Sequence, residues 1–68
     1  MIEIDARGLS CPEPLMMVAE ALKQHPGESL EVWVSEVHTK TNIENYVTSH
    51  GKTVTVTTKD FDIILTIQ

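Results

Sequence analysis

The sequence predicts an α+β fold, a two-layer α/β sandwich in which both helices cover one face of a mixed four-stranded sheet. Four segments alternate apolar and polar residues with the period of a β-strand, and two segments between them repeat apolar residues at helical spacing. A sheet covered on both faces would show continuous apolar strands, whereas the outward positions of the third strand are all threonine. We therefore expect the order βαβαββ, with the other sheet face open to water.

The first strand and the first helix are joined by a short connection. "MIEID" places Ile2 and Ile4 on one face of a strand, and residues 6–11 lead from it to the helix. Proline is tolerated in the first turn of a helix, so we assign Pro12 to the first helical position and Cys11 to the N-cap. The apolar residues that continue this helix are Leu15, Val18, Ala19 and Leu22. Proline and glycine in "HPGES" end it.

The second half of the chain repeats this alternation. "LEVWVS" at residues 30–35 is the second strand. Thr41 and Glu44 have capping-box spacing, which predicts that the second helix begins there and ends before Gly51. Two strands joined by a turn at residues 59–61 follow, and their predicted inward residues are Val54, Val56, Ile63, Leu65 and Ile67. Parallel pairing is available across each helical crossover, and antiparallel pairing in the final hairpin.

Length and charge restrict the classes of function. The 68 residues suit one domain, residues 1–68, and the net charge of −5 repels phosphate backbones and anionic membrane surfaces. We therefore expect no direct nucleic-acid partner, and a basic protein surface fits better. The longest apolar run, residues 15–19, is too short to insert into a membrane, and "MIEIDARG" carries no export leader. With one cysteine, we expect a cytoplasmic protein without an internal disulfide. We also expect it to be a monomer.

The lone cysteine is the candidate catalytic residue. A thiolate at a helix N-terminus lies at the positive end of the helix dipole, which lowers the pKa of a cysteine from roughly 8.5 and favours the nucleophilic form. Pro14 lacks an N–H, so the Glu13 amide is the nearest donor for the sulfur; Arg7 favours ionisation and the Glu13 carboxylate opposes it. The alternative is a small buried hydrophobic residue. A dithiol oxidoreductase is excluded, whereas a single thiol can accept a group and pass it on.

Other polar and aromatic residues carry weaker signals. The three histidines have no metal-ligand spacing, so we expect no metal site and no cofactor. Met16 and Met17 either line an adaptable partner surface or help to fill the helix–sheet interface. Trp33, on the outward face of the second strand, either anchors a partner or rests against neighbouring threonine methyls.

With this element order and the segment "RGLSCPEP" together, the chain resembles the TusA/SirA family of small sulfur-carrier proteins. The resemblance extends over the whole chain and includes "DARGLSCPEPL", "PGESLEV" and "SHGKTV". It implies that Cys11 accepts sulfane sulfur as a persulfide from a cysteine desulfurase or rhodanese-like donor, passes it to an acceptor protein and has little turnover alone. The implied supporting residues are those of the C-P-x-P signature and the segment before it: Arg7, Gly8, Leu9, Pro12, Glu13 and Pro14.

The chain departs from the family pattern after the second strand. Relatives commonly show Asp-Pro and a later Asp-Ile-Pro where this chain has "SEVHTKTNIEN". Glu36 takes the place of the first acid, which makes it a candidate partner-surface residue, and Asn42 and Glu44 replace the later Asp and Pro. The pathway stays open among tRNA thiolation, cofactor maturation and thiosulfate use, the last beside a membrane sulfur-compound transporter. Two other classes also stay open, a regulatory or adaptor module and a redox-sensing thiol protein.

Overall fold

A computed structural model describes residues 1–10 and 12–68 of the chain. Its elements are β1 (Ile2–Asp5), α1 (Glu13–Gln24), β2 (Leu30–Val34), α2 (Val37–Ser49), β3 (Val54–Lys59) and β4 (Asp62–Ile67). Across these residues the strands form one four-stranded mixed sheet, and α1 and α2 pack against each other and against the same sheet face. The predicted α+β class, element order and two-layer arrangement are confirmed.

The strand order in the sheet is β1-β2-β4-β3. β1 pairs with β2 in parallel, as predicted across the first crossover, and β4 pairs with both β2 and β3 in antiparallel orientation. The second crossover was expected to allow parallel pairing of β2 with β3, and here the structure differs because β4 lies between them. The apolar strand β4, "DIILTI", buries more of its apolar surface in a central position, and the threonine-rich β3 is better suited to a solvated edge.

The core lies between the helices and one sheet face. Its members alternate along the strands and recur on the inner sides of the helices: Ile4, Ala6, Val18, Ala21, Leu30, Val32, Val34, Ile43, Val47, Leu65 and Ile67. Leu65 and Ile67 point inward as predicted, and Ile63 and Val54 are half-buried against this cluster. Val56 lies opposite the buried Leu65 on the same sheet face, as predicted, although 38% of this residue is exposed. This exposure arises because β3 is an edge strand, which β4 flanks on one side only.

The first helix begins one residue later than predicted. The N–H of Met16 donates to the carbonyl of Pro12 at 3.0 Å, which makes Pro12 the N-cap and Pro14 the second helical residue. The N–H of Glu13 donates to the carbonyl of Ser10 at 3.0 Å and closes a turn just before the helix. Placing Pro12 at the first helical position was therefore wrong. The residue assigned to the N-cap from sequence, Cys11, lies outside the described residues.

The second helix begins a full turn earlier than predicted. It starts at Val37, and the Thr41 hydroxyl donates to the Val37 carbonyl at 3.1 Å instead of capping a helix end. Glu44 forms an ion pair with Lys40 at 3.2 Å, so the capping box predicted from Thr41 and Glu44 is wrong. The predicted end is confirmed, because Gly51 adopts φ of +80° and its N–H donates to the Thr48 carbonyl, as expected just past a helix.

Candidate functional site

The segment that leads to Cys11, residues 6–10, is tied to the end of β2; we call it the motif loop. The N–H of Ala6 donates to the Trp33 carbonyl at 2.8 Å and extends the pairing of β1 with β2. Gly8 adopts φ of +78°, which most side chains disfavour, and its N–H donates to the Ser35 hydroxyl at 3.1 Å. Leu9 packs against the core. The loop is thus anchored both by hydrogen bonds and by an apolar side chain.

Arg7 in the motif loop joins two carboxylates from opposite ends of the sequence. Its Nε and Nη2 each lie 2.9 Å from an oxygen of Asp5, and its Nη1 lies 3.1 Å from Oδ2 of Asp62 at the start of β4. The guanidinium carbon also lies 5.1 Å from the centre of the Trp33 ring, within range of a cation–π contact. The contact between Arg7 and Asp62 could not be predicted from sequence periodicity, because it depends on β4 lying next to β2.

This cluster shifts the ionisation of its members. Hydrogen bonds from the side chain and then the backbone N–H of Arg7 lower the pKa of Asp5 from its usual value near 3.8 to about 2. Hydrogen bonds to Asp5 and then Asp62 raise the pKa of Arg7 above its ordinary value. Arg7 is therefore a permanent cation whose charge is offset by two neighbouring carboxylates, so less of that charge is available to favour ionisation of a nearby thiol, the role predicted for it.

The first turn of α1 offers few free amides. The N–H of Glu13, predicted to be the nearest donor for the cysteine sulfur, is used by the Ser10 carbonyl, and Pro14 has no N–H. The Glu13 and Pro12 side chains are exposed, whereas Pro14 is buried with α1's core-facing residues Val18 and Ala21. The burial of Pro14 was not predicted from sequence, although its spacing of four residues from Val18 places both on one helix face.

Met16 and Met17 are both accessible, with exposed fractions of 62% and 37%. With Glu13 and Glu20 they line one side of a shallow groove between α1 and β1. Of the two alternatives drawn from sequence, these exposures favour an accessible surface over a helix–sheet filler. Glu36, the residue before α2, is also exposed and directly follows Ser35, which holds the motif loop.

Trp33 packs against Arg7. It is half-buried, its ring lies beneath the Arg7 guanidinium, and its Nε1 donates to Glu31 at 3.1 Å. Its partners across the strands are Asp5 and Ile64, so the expected threonine neighbours are not the residues directly beside it. A side chain with this packing is less available as a partner anchor than the sequence suggested.

His25 and His50 lie elsewhere and have local partners. His25 lies 3.1 Å from a Glu28 oxygen, and His50 stacks on Tyr46 with ring centres 4.3 Å apart. Among the residues that the structure describes, no group of three His, Cys, Asp or Glu side chains is placed to hold a metal ion. Within the same residues, neither helix has the length and apolar character required to cross a bilayer.

The fold and the sequence together define a class, namely small two-layer sandwiches whose sequence carries Cys-Pro-x-Pro in the region between the first strand and the first turn of the first helix. The family described as Sulfurtransferase TusA matches residues 2–68, and the chain belongs to this family. An Archaeoglobus fulgidus protein named "Putative sulfur carrier protein" is 36% identical over 63 residues, which cover 91% of this chain and 86% of that protein.

A solved structure shares the fold. The crystal structure of a SirA-like protein from Desulfitobacterium hafniense superposes with a TM-score of 0.94 and is 28% identical in sequence. The superposition covers 98% of this chain and 95% of that chain. The resemblance to the TusA/SirA family inferred from "RGLSCPEP" is therefore confirmed.

Proposed function

We propose that this chain is a sulfur carrier in which Cys11 holds sulfane sulfur as a persulfide, receives it from one protein and delivers it to another. Family membership and the name of the archaeal relative support a sulfur-carrier role. The observation that carries the proposal is the position of the chain's only cysteine, between Ser10 and Pro12, which are both exposed. A residue flanked in this way is better placed for transfer between proteins than for packing in the core.

The proposed chemistry needs one thiol and no oxidant. The Cys11 thiolate attacks the outer sulfur of a persulfide on the donor protein, and a new S–S bond forms as the donor's S–S bond breaks. The bonding electrons leave on the donor's cysteine sulfur, which takes up a proton, so the donor regains a thiol and Cys11 becomes the persulfide. Attack by an acceptor thiolate on the outer sulfur of Cys11 repeats the exchange and restores the carrier.

The described surroundings of Cys11 suit this exchange. The dipole of α1 favours an anion before its first residue, which applies to a thiolate and to a persulfide alike. The first two residues of α1 supply no free N–H for an anion, since that of Glu13 is used and Pro14 has none. We therefore expect the helix dipole to stabilise the anionic sulfur while few hydrogen bonds are directed at it. Weak hydrogen bonding of this kind favours transfer of the outer sulfur to a partner over its retention on Cys11.

Mass spectrometry tests the proposal directly. Reduced protein incubated with a cysteine desulfurase and cysteine should gain about 32 Da, located at Cys11 by peptide mapping and removed by dithiothreitol. Cys11→Ser is the matched control, since it removes the thiol with a change of one atom, and it should gain nothing. A carrier loses delivery of sulfur on this substitution, whereas a regulatory or adaptor module keeps its binding.

Two results would contradict the carrier function. The first is an unsubstituted chain that stays unmodified with both protein donors and inorganic polysulfide. The second is a mass gain matching glutathione on protein recovered from cells, which would favour the redox-sensing alternative. Within the proposal the partners are a donor protein and an acceptor protein, and the carrier acts as the single domain 1–68 in the cytoplasm, where a lone thiol is kept reduced.

A further inference from the structure

We propose that Phe61, at the tip of the β3–β4 hairpin, is the anchor by which this chain docks on its sulfur-transfer partners. The partner surface that it fits is an apolar pocket surrounded by basic side chains. This inference rests on the carrier function proposed above, and it adds the docking residue and the chemistry of the partner surface.

Phe61 is the most exposed of the large apolar side chains in the described part of the chain, at 95%. Lys59 pairs with Asp62, so the hairpin turns through two residues, Asp60 and Phe61. Asp60 adopts φ of +56°, a conformation that Asp tolerates better than most residues and that is rarely adopted without a constraint. A phenyl ring this exposed at a tight turn does not contribute to the core, but aromatic side chains, Phe among them, are enriched in protein–protein interfaces.

The hairpin tip lies beside the motif loop. Asp62, the residue after Phe61, contacts Arg7 of the loop at 3.1 Å. The next residue of the loop, Gly8, is hydrogen-bonded to Ser35, and Val37, two residues after Ser35, is 66% exposed. Exposed apolar side chains thus lie within two residues of Asp62 and of Ser35, two of the residues that hold the loop leading to Cys11. A partner seated on this end of the sandwich would cover the loop and Phe61 together.

The charges at this end favour a basic partner. Glu13, Glu36 and Asp60 are exposed, and within residues 1–10 and 12–68 none of the three carboxylates is in an ion pair. The positive charge of Arg7 is more than offset by Asp5 and Asp62, which leaves Lys59 as the cation nearest the tip. A second copy of this chain would bring like charges together, whereas basic side chains around a pocket for Phe61 would complement this surface.

Kinetics with a protein donor test the anchor. Initial rates of Cys11 persulfide formation are measured against carrier concentration with a cysteine desulfurase and with a rhodanese from the source organism. For Phe61→Ala we expect KM to rise by about 30-fold with at least one donor and kcat to change little. Phe61→Leu should recover part of the loss. Val56→Ala, which removes an exposed apolar side chain from the same hairpin away from its tip, is the matched control and should leave KM unchanged.

The contribution of the exposed carboxylates at this end is tested in the same assay. Asp60→Asn keeps a residue that tolerates positive φ and removes one charge. We expect this variant to raise KM and to reduce the dependence of KM on salt concentration, because it removes one of the charges that attract a basic partner.

Loading with inorganic polysulfide separates this inference from the carrier function, since a small donor needs no docking surface. All variants should load at the rate of the unsubstituted chain. Failure of the unsubstituted chain to load from any donor would remove the carrier function itself. Normal loading together with an unchanged KM for Phe61→Ala would overturn the anchor alone. Loading from polysulfide but from neither protein donor would also overturn the anchor. A sedimentation experiment showing that Phe61 mediates self-association would do the same.

Discussion

At the scale of single residues, Arg7 shows how the structure changes an interpretation drawn from sequence. Its position four residues before Cys11 suggested a cation that favours the thiolate. The structure instead engages its guanidinium with Asp5, Asp62 and the face of Trp33. A bidentate, planar cation is suited to this arrangement in a way that lysine is not. We infer that Arg7 mainly fixes the position of the motif loop relative to β4.

The carboxylate of Asp5 makes this interaction dependent on pH. Its pKa is lowered from near 3.8 to about 2 in the folded chain, so its ionised form stabilises the fold above pH 4, and this contribution is lost as the pH falls toward 2. We expect Asp5→Asn to lower Tm at pH 6, and the difference from the unsubstituted chain to shrink between pH 4 and pH 2. Thermal unfolding followed by circular dichroism across this range measures the difference.

A substitution without a titrating group is the control for this experiment. Thr57→Ala changes an exposed residue on the same sheet face, and its effect on Tm should be independent of pH. If the effect of Asp5→Asn were equally constant from pH 6 to pH 2, the hydrogen bonds to Arg7 would not be the cause of its stabilisation.

At the scale of elements, alternation and helical spacing predicted which segments form helices and strands, and local chemistry predicted their ends less well. The start of α2 was misplaced because Thr41 and Glu44 match a capping box, while Val37 and the buried Thr39 occur in a polar segment. The position of β4 between β2 and β3 was not predictable either, since periodicity describes the faces of a strand and not its neighbours. The contact of Asp62 with Arg7 follows from that position.

The end of α2 was predictable because it depends on local backbone chemistry. Gly51 has φ of +80°, and after it the Lys52 N–H donates to the Val47 carbonyl at 3.0 Å. A Cβ at Gly51 would meet no atom within 4 Å, so only the backbone conformation opposes a side chain. We expect Gly51→Ala to reduce the free energy of unfolding by about 1 kcal/mol, which lowers Tm by about 4 to 8 °C.

Asparagine at the same position provides a graded comparison. It tolerates the left-handed conformation better than alanine, so Gly51→Asn should cost less stability than Gly51→Ala in urea unfolding. Equal losses for the two variants would indicate that the conformation at Gly51 is not what determines the stability of this helix end.

At the scale of the whole molecule, the two sheet faces have different roles: one is buried in the core and the other faces solvent. One face and the helices form the core, and the other carries charged and threonine side chains together with the half-buried Trp33. The loop before Cys11, the start of α2 and the β3–β4 turn meet at one end through the contacts of Gly8 and Arg7. The sulfur-carrier function is therefore proposed at the end of the sheet where β1, β2 and β3 finish. The stability of the fold depends on a single small core.

A core of this size leaves little margin for cavities. Folded domains are stable by roughly 0.05 to 0.15 kcal/mol per residue, which gives about 3 to 10 kcal/mol for this chain. Leu65 is fully buried in the central strand β4, and Leu65→Ala should cost about 2 to 5 kcal/mol, enough to populate the unfolded state measurably at 37 °C. Val56 lies opposite Leu65 on the edge strand, and Val56→Ala should cost about 1 kcal/mol or less. Urea unfolding of both variants checks this, and comparable losses would show that the edge of the sheet shares the core's role.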